Sequence, residues 1–143
     1  MTSVVDASVA VKWFFIREPL AAEAYALLRG EVPPIAPDII VAEACNAAWK
    51  SLRLGRIRPD KLSEIAARLP QHFGELVDSV GLAPSAVAIA AALDHPVYDC
   101  LYLALAEARG VPFITADERL LLRLDGSPWA ARAVSLAEYR PAR

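Results

Sequence analysis

The sequence predicts an α/β fold in which a short parallel sheet is flanked by helices on both faces. Three observations support this prediction: short apolar runs that suit buried strands, amphipathic segments of helical length between them, and proline or glycine at most of the joints. Strands that alternate with helices are typical of a parallel sheet covered on both sides. The length of 143 residues and the lack of a linker predict one domain over residues 1–143.

Five runs are predicted to be strands because each is short, apolar and bounded by turn residues. The first run ends at Asp6, and the third has a weak point at Gly74. The last run follows a turn cluster at residues 125–128. The predicted strands are residues 3–5, 35–36, 73–80, 112–115 and 133–135.

Seven segments are predicted to be helices, and most have their own start or stop residue. Pro19 suits the first turn of the second helix, and Asp38 is expected to cap the third. Gly55 and Gly110 are expected to end the third and sixth helices. The predicted helices are residues 7–15, 19–30, 39–54, 59–69, 84–93, 97–109 and a last one that opens at residue 116 or 117.

The composition indicates an ordered, cytoplasmic protein. Hydrophobic residues make up 56% of the chain, which excludes the disordered class. No signal peptide precedes the first strand, and no apolar run is long enough to span a bilayer. Cys45 and Cys100 each lie in an apolar helical pattern, so buried thiols are favoured over a disulfide, as suits a reducing compartment.

The net charge of −2 gives no overall attraction for nucleic acid, but basic residues are concentrated in one segment. Residues 50–68 contain six basic residues and only two acids, Asp60 and Glu64. Such a segment is either a solvated helix face or a surface that contacts RNA, and the sequence leaves both open. The basic residues are Lys50, Arg53, Arg56, Arg58, Lys61 and Arg68.

Four carboxylates are the candidate site: Asp6, Glu43, Asp99 and Asp117. Three of them lie at or near a strand end or a helix start. Right-handed crossovers in a parallel sheet bring such positions to one edge, where α/β proteins bind ligands. We therefore expect the four side chains to converge.

Each carboxylate alone has a structural explanation. Asp6 could turn the chain after a strand, and Asp99 could complement the positive end of its helix. Thr115 and Glu118 could form a capping box at the last helix. Glu43 is the hardest to explain in this way, because it lies mid-helix beside the apolar face, where an unpaired charge is costly to bury.

Together the four acids indicate a site for a hard divalent cation. Carboxylates gathered in one crevice repel one another unless a cation joins them, and Mg²⁺ prefers oxygen ligands. His72 and His95 lack the spacing of a zinc site. Ser8 and Ser127 lack the setting of a nucleophilic serine, and no glycine-rich phosphate loop is present.

Four motifs in order resemble the PIN domain, in particular the VapC-type toxin ribonucleases of toxin–antitoxin pairs. The motifs begin at Val4-Val5-Asp6-Ala7-Ser8, Glu43-Ala-Cys-Asn46, Tyr98-Asp99-Cys-Leu-Tyr and Phe113-Ile-Thr115-Ala-Asp117. Ala7 stands where the family often has threonine, and the region from 54 to 80 matches only in outline.

The resemblance implies a PIN-like three-layer fold and a Mg²⁺- or Mn²⁺-dependent endoribonuclease. It places Asp6, Glu43, Asp99 and Asp117 around the metal. Ser8, Asn46 and Thr115 would support them as hydrogen-bond donors. A VapB-type antitoxin would be the partner that blocks the site.

Two surfaces are candidates for contacts with other molecules. RNA backbone contacts are expected from Lys12, Lys50, Arg53 and Arg56, since Lys50 lies two turns beyond Glu43 on the same helix face. Residues 13–15 (Trp13, Phe14 and Phe15) are candidates for a homodimer interface or a partner groove, or else they fold back onto the core.

Two other functions compete with the nuclease. One is a catalytically silent PIN-like module that binds RNA or protein. The other is a phosphoryl-transfer domain with Asp6 as phosphoacceptor. The phosphoryl-transfer domain is disfavoured because no second acid adjoins Asp6 and no lysine lies near Thr115.

Overall fold

The sheet is built from five short strands that all pair in parallel. In chain order they are β1 (Val4–Val5), β2 (Ile35–Pro37), β3 (Glu75–Val77), β4 (Phe113–Thr115) and β5 (Ala133–Ser135). Their spatial order is β3-β2-β1-β4-β5. The computed structural model describes residues 1–141, so the last two positions of the predicted domain lie outside the described residues.

Helices flank the sheet on both faces, which confirms the predicted fold class. Two short 3-10 helices, Val11–Phe14 and Leu69–His72, directly follow the first and fourth α-helices. The α-helices are α1 (Ala7–Ala10), α2 (Ala21–Leu28), α3 (Ile39–Arg53), α4 (Pro59–Arg68), α5 (Ser79–Leu93), α6 (Val97–Arg109) and α7 (Glu118–Leu124).

Strand register brings the carboxyl ends of β1 and β4 side by side. Val4 pairs with Phe113 and Val5 with Ile114. The next residues along the two strands are Asp6 and Thr115, so these residues come together at one edge of the sheet. Ligands bind at this edge in open parallel sheets.

Helix α6 is the central helix of the core. Every residue from Cys100 to Ala106 is buried, and the helix contacts β1, β2, β4 and α5. A helix that is apolar on all sides must be covered on all sides. Cys45 and Cys100 are free thiols; Cys100 is buried, as predicted, whereas Cys45 is only half-buried.

Helix α5 begins at Ser79, five residues before the predicted start. The Asp78 side chain accepts a hydrogen bond of 2.9 Å from the Val80 backbone N–H and so caps the helix. Pro84 lies inside this helix instead of at its start. The predicted strand at 73–80 is correspondingly reduced to β3.

Two other local predictions were wrong in detail. The predicted first helix divides into α1 and a 3-10 helix. Asp38 precedes α3, but its side chain does not cap that helix. Its carboxylate instead accepts hydrogen bonds from the backbone and hydroxyl of Ser79, which ties the end of β2 to the start of α5.

The aromatic residues after α1 are mostly core residues. Trp13 and Phe14 are buried, and the Trp13 indole N–H donates a 2.9 Å hydrogen bond to the Ala24 carbonyl. Only Phe15 is partly exposed, and it too packs against the core. Of the two predicted alternatives for residues 13–15, the partner surface is therefore wrong for Trp13 and Phe14, because both side chains fold back onto the core.

Among residues 1–141, no single helix is both long enough and apolar enough to cross a membrane. Helices α5 and α6 reach that length and hydropathy only as a pair, and the pair is bent by 117° at its break.

Candidate active site

Asp6 is the buried carboxylate of the candidate site. It follows β1 and is the N-cap of α1, with only 6% of its surface exposed. Its Oδ1 accepts hydrogen bonds from the Ser8 hydroxyl at 2.5 Å and the Val9 N–H at 3.3 Å, and its Oδ2 accepts one from the Thr115 hydroxyl at 2.5 Å. Burial raises the pKa of Asp6 to about 6, against the lowering effect of these donors.

Ser8 and Thr115 also fix the backbone that follows β4. The Ser8 hydroxyl accepts a 3.0 Å hydrogen bond from the Ala116 N–H, and the Thr115 hydroxyl accepts one of 3.0 Å from the Asp117 N–H. Each hydroxyl therefore donates to Asp6 and accepts from the turn into α7. Ser8 and Thr115, which we predicted as supporting hydrogen-bond donors, both donate to Asp6.

Glu43 is half-buried on α3 and faces α6. Its Oε1 accepts a 2.7 Å hydrogen bond from the Tyr102 hydroxyl. Burial raises the pKa of Glu43, the bond from Tyr102 lowers it, and the charge of Asp99 raises it further. Burial raises the pKa of the Tyr102 phenol, and the carboxylates of Glu43, Asp6 and Asp99 raise it further. Tyr102 therefore stays protonated as a donor.

Asp99 lies in the first turn of α6, as predicted. Its Oδ2 is 2.7 Å from His95 Nε2, one helical turn earlier in the chain. The negative charge of Asp99 contributes to the raised pKa of both Asp6 and Glu43. Asp99 therefore lies close to both Asp6 and Glu43.

Asp117 is connected to this group through its backbone and not through its carboxylate. Its side chain caps α7 by accepting from the N–H groups of Arg119 and Leu120, at 3.0 and 3.1 Å. Thr115 does not cap the helix, and Glu118 accepts from Ser135. The predicted capping box is therefore wrong, because Asp117 occupies the capping position itself.

Tyr102 and His95 were not anticipated as partners of the carboxylates. Tyr102 lies three residues after Asp99, which places the two on neighbouring positions of one helix face. A tyrosine in a fully buried apolar helix needs an acceptor for its hydroxyl, and this requirement could have identified it. His95 was considered only as a zinc ligand.

The donor set suits a hard cation, although the side chains do not yet form a closed metal site. Within residues 1–141, no three Asp, Glu, His or Cys side chains are grouped closely enough to hold an ion together. The oxygens of Asp6, Glu43 and Asp99 are instead bound by donors of the protein. Carboxylate oxygens are the ligands that Mg²⁺ prefers, and a cation would offset the burial and the repulsion that raise the pKa of Asp6 and Glu43.

The remaining predicted residues lie around this group or apart from it. Asn46 is exposed on α3, one turn beyond Glu43. Lys12 is bound to the segment that precedes α2. Its ammonium donates to the Pro19 carbonyl at 2.9 Å and pairs with Glu18 at 3.6 Å. The side chains of Lys50, Arg53 and Arg56 are exposed.

Known proteins share both the sequence pattern and the fold. A curated relative, Ribonuclease VapC3 of Pyrobaculum aerophilum, is 32% identical over 122 residues, which are 84% of this chain and 92% of the relative. The crystal structure of PAE2754 from Pyrobaculum aerophilum matches with a TM-score of 0.71 at 22% identity, covering 96% of this chain and 92% of that one.

A toxin-antitoxin complex from Klebsiella pneumoniae contains a chain of the same fold. It matches with a TM-score of 0.67 at 16% identity, covering 96% of this chain and all of the other. At these identities the two structures are evidence for the fold. The PIN domain family model matches residues 3–126, which contain all four candidate carboxylates. The chain therefore belongs to the PIN domain family.

Proposed function

We propose that the protein is a Mg²⁺- or Mn²⁺-dependent endoribonuclease, the toxin of a VapBC-type toxin–antitoxin pair. The observation that carries the proposal is that Asp99 lies close enough to Asp6 and to Glu43, beside one edge of the sheet, for its charge to raise the pKa of both. The ribonuclease name of the 32% identical relative supports the reaction class. Clustered, partly desolvated carboxylates are unfavourable for a fold that has no use for them.

The residues of this chain would prepare a cation site by holding its carboxylates in place. Ser8 and Thr115 hold the Asp6 carboxylate in one orientation, and Tyr102 does the same for Glu43. His95 holds Asp99 at the mouth of the group. A bound Mg²⁺ or Mn²⁺ would supply an acidified water and neutralise charge on the phosphate that is attacked. No protein nucleophile is needed.

Three carboxylates are the principal proposed ligands, and Asp117 is a fourth. Asp6, Glu43 and Asp99 would bind the ion through acceptor sites that their present donors leave free. Asp117 caps α7 with Oδ1 and would bind the ion through Oδ2, directly or through water. Asn46, next to Glu43 along α3, would donate to the substrate or to a bound water.

The partners of the protein are also part of the proposal. A VapB-type antitoxin would cover the carboxylate group, and the fold shared with a chain of a toxin-antitoxin complex supports such a partner. A homodimer stays a prediction, and its interface must lie elsewhere than at Trp13 and Phe14, because these are buried.

The decisive experiment is a cleavage assay. Purified protein is incubated with mixed cellular RNA and Mg²⁺ or Mn²⁺, with and without chelator, beside the variants Asp99→Asn and Glu23→Gln. Glu23 is an exposed acid on α2 and serves as the matched control. Discrete fragments that disappear with chelator and with Asp99→Asn, but persist with Glu23→Gln, support the proposal.

Identical RNA patterns in all lanes would overturn the nuclease. If the protein then still binds RNA, the silent PIN-like module becomes the better description.

A further inference from the structure

The open side of α3 carries an aromatic and basic strip, which we call the α3 strip and define as Asn46, Trp49, Lys50 and Arg53. All four side chains are exposed. The indole of Trp49 is 45% exposed, and the guanidinium carbon of Arg53 lies 5.8 Å from the centre of its ring. This distance permits a cation–π contact in which Arg53 covers only part of the ring.

Helical geometry connects the strip to the carboxylate group. At about 100° per residue, Lys50 projects within about 20° of Glu43, and Arg53 within about 20° of Asn46. Trp49 lies further round on the open side and about 9 Å along the axis from Glu43. An extended ligand that lies along α3 from Glu43 would therefore contact Asn46 first, then Trp49 with Lys50, and finally Arg53.

Charge pairing separates the basic segment into two parts. Beyond the strip, the basic residues have acidic partners: Arg58 pairs with Asp60 at 3.2 Å, and Lys61 and Arg68 pair with Glu64 at 3.8 and 3.2 Å. By contrast, no carboxylate within residues 1–141 lies within 4.0 Å of the cationic groups of Lys50, Arg53 or Arg56. The unpaired charges are thus the ones nearest to Glu43.

Trp49 also differs from the other two tryptophans. The Trp13 indole N–H donates to Ala24, and that of Trp129 donates to Glu107 at 2.9 Å. The indole N–H of Trp49 has no protein acceptor in the described part of the chain. Its exposed ring and free N–H, beside unpaired cations, have the character of a surface for an aromatic, anionic ligand.

We propose that Trp49, with Arg53, is a stacking site for a nucleobase of the RNA strand that enters beside Glu43, and that Lys50 and Arg56 bind its phosphates. The proposal rests on the proposed ribonuclease function and adds the form of its substrate. An exposed base stacks on an aromatic ring, whereas a base inside a duplex is already stacked. The substrate is therefore single-stranded where it meets α3.

Binding of RNA to inactive protein tests this site directly. The Asp99→Asn variant with chelator is titrated with a short single-stranded RNA and with an abasic ribose-phosphate chain of equal length. Trp49→Ala is compared with Trp49→Phe and with Tyr25→Ala, whose tyrosine is 43% exposed on α2 and serves as the matched control. Melting temperatures verify that each variant is folded.

The expected result is selective for the base. Trp49→Ala should weaken RNA binding by about 5- to 150-fold, since base–aromatic stacking contributes about 1–3 kcal/mol per base. Trp49→Phe should retain most of the affinity, and Tyr25→Ala all of it. Binding of the abasic chain should be the same in all three variants.

Two results would overturn the stacking site. The first is an RNA affinity that is unchanged in Trp49→Ala. This result would overturn the stacking site even if sedimentation shows that the variant changes the self-association of the protein. The second is an equal loss of affinity for the RNA and the abasic chain. If RNA binds through Trp49 but the parent protein with Mg²⁺ or Mn²⁺ does not cleave RNA, the nuclease proposal is wrong and the stacking site stands. If the parent protein cleaves RNA but Trp49→Ala leaves RNA binding unchanged, only the stacking site is wrong.

Discussion

The Tyr102 hydroxyl donates a hydrogen bond of 2.7 Å to Glu43 Oε1, and this bond joins α6 to α3. Tyr102 is 1% exposed, so the bond forms at the floor of the carboxylate group and not at its surface. Burial disfavours the charged form of Glu43, and the bond from Tyr102 opposes that effect. A single phenol therefore both positions a proposed metal ligand and favours its charged form.

Removing this hydroxyl should change the ionisation of Glu43. Tyr102→Phe keeps the ring, which stacks on Phe113 with 5.8 Å between ring centres, and removes the donor. We expect the pKa of Glu43 to rise, the acid limb of the cleavage rate to move to higher pH, and the free energy of unfolding to fall by about 1–3 kcal/mol. A pH–rate profile and urea denaturation measure these changes.

Tyr98→Phe is the matched control for that experiment, because Tyr98 lies on the same helix and is 62% exposed. It should leave the acid limb in place. An acid limb that is the same in Tyr102→Phe and in the parent would contradict the role of the phenol.

Thr115 should act through its hydroxyl and not through its methyl group. Thr115→Val removes the donor to Asp6 and the acceptor of the Asp117 N–H, whereas Thr115→Ser retains both. We expect Thr115→Val to lower the free energy of unfolding by about 1–3 kcal/mol and to raise the pKa of Asp6, with a smaller change in Thr115→Ser. Urea denaturation and NMR titration of Asp6 provide the measurements. Destabilisation by Thr115→Ser with no change in Thr115→Val would show that the methyl group, and not the hydroxyl, is the important contribution.

Local signals in the sequence were sufficient for some elements and misleading for others. Helix α6 begins and ends where Pro96 and Gly110 predicted, because proline excludes an earlier start and Gly110 adopts the left-handed conformation that ends the helix. The start of α5 was missed, because the cap at Asp78 allows the helix to form despite Pro84.

The candidate site could be predicted in its carboxylates but not in their partners. Asp6, Glu43 and Asp99 stood out because acids at a strand end, on an apolar helix and at a helix start need an explanation. Tyr102 reaches Glu43 across the space between two helices, and no sequence spacing encodes that contact. The metal-site prediction for Asp117 remains untested, since its carboxylate now caps α7.

The raised pKa of Asp6 should make the stability of the metal-free protein depend on pH. Asp6 has a pKa of about 6 in the folded protein against the ordinary 3.8, so the folded state binds more protons than the unfolded state between about pH 4 and 6. Stability should therefore fall as pH rises through this window. Asp6→Asn lacks this carboxyl, so its stability should not show the fall. The free energy of unfolding of Asp6→Asn minus that of the parent should therefore rise by on the order of 3 kcal/mol between pH 4 and 7.

Urea denaturation in chelator at several pH values checks this prediction, with Asp125→Asn as a control because Asp125 is an exposed residue after α7. The control should follow the parent at every pH. A constant difference between Asp6→Asn and the parent would mean that the carboxyl of Asp6 does not titrate in this range.

Mg²⁺ should stabilise the folded protein through Asp6, Glu43 and Asp99. At a free concentration ten times its Kd, a ligand of the folded state adds about 1.4 kcal/mol, which is a rise of a few degrees in Tm for a chain of this length. Because the cation competes with protons for Asp6, the rise should be larger at pH 8 than at pH 5. Asp6→Asn, Glu43→Gln and Asp99→Asn should each reduce the rise, whereas Glu23→Gln should retain it. The measurement is a thermal melt with and without Mg²⁺ at both pH values. An equal rise in all variants would mean that Mg²⁺ acts on the general surface charge, because binding at one site must depend on the residues that form it.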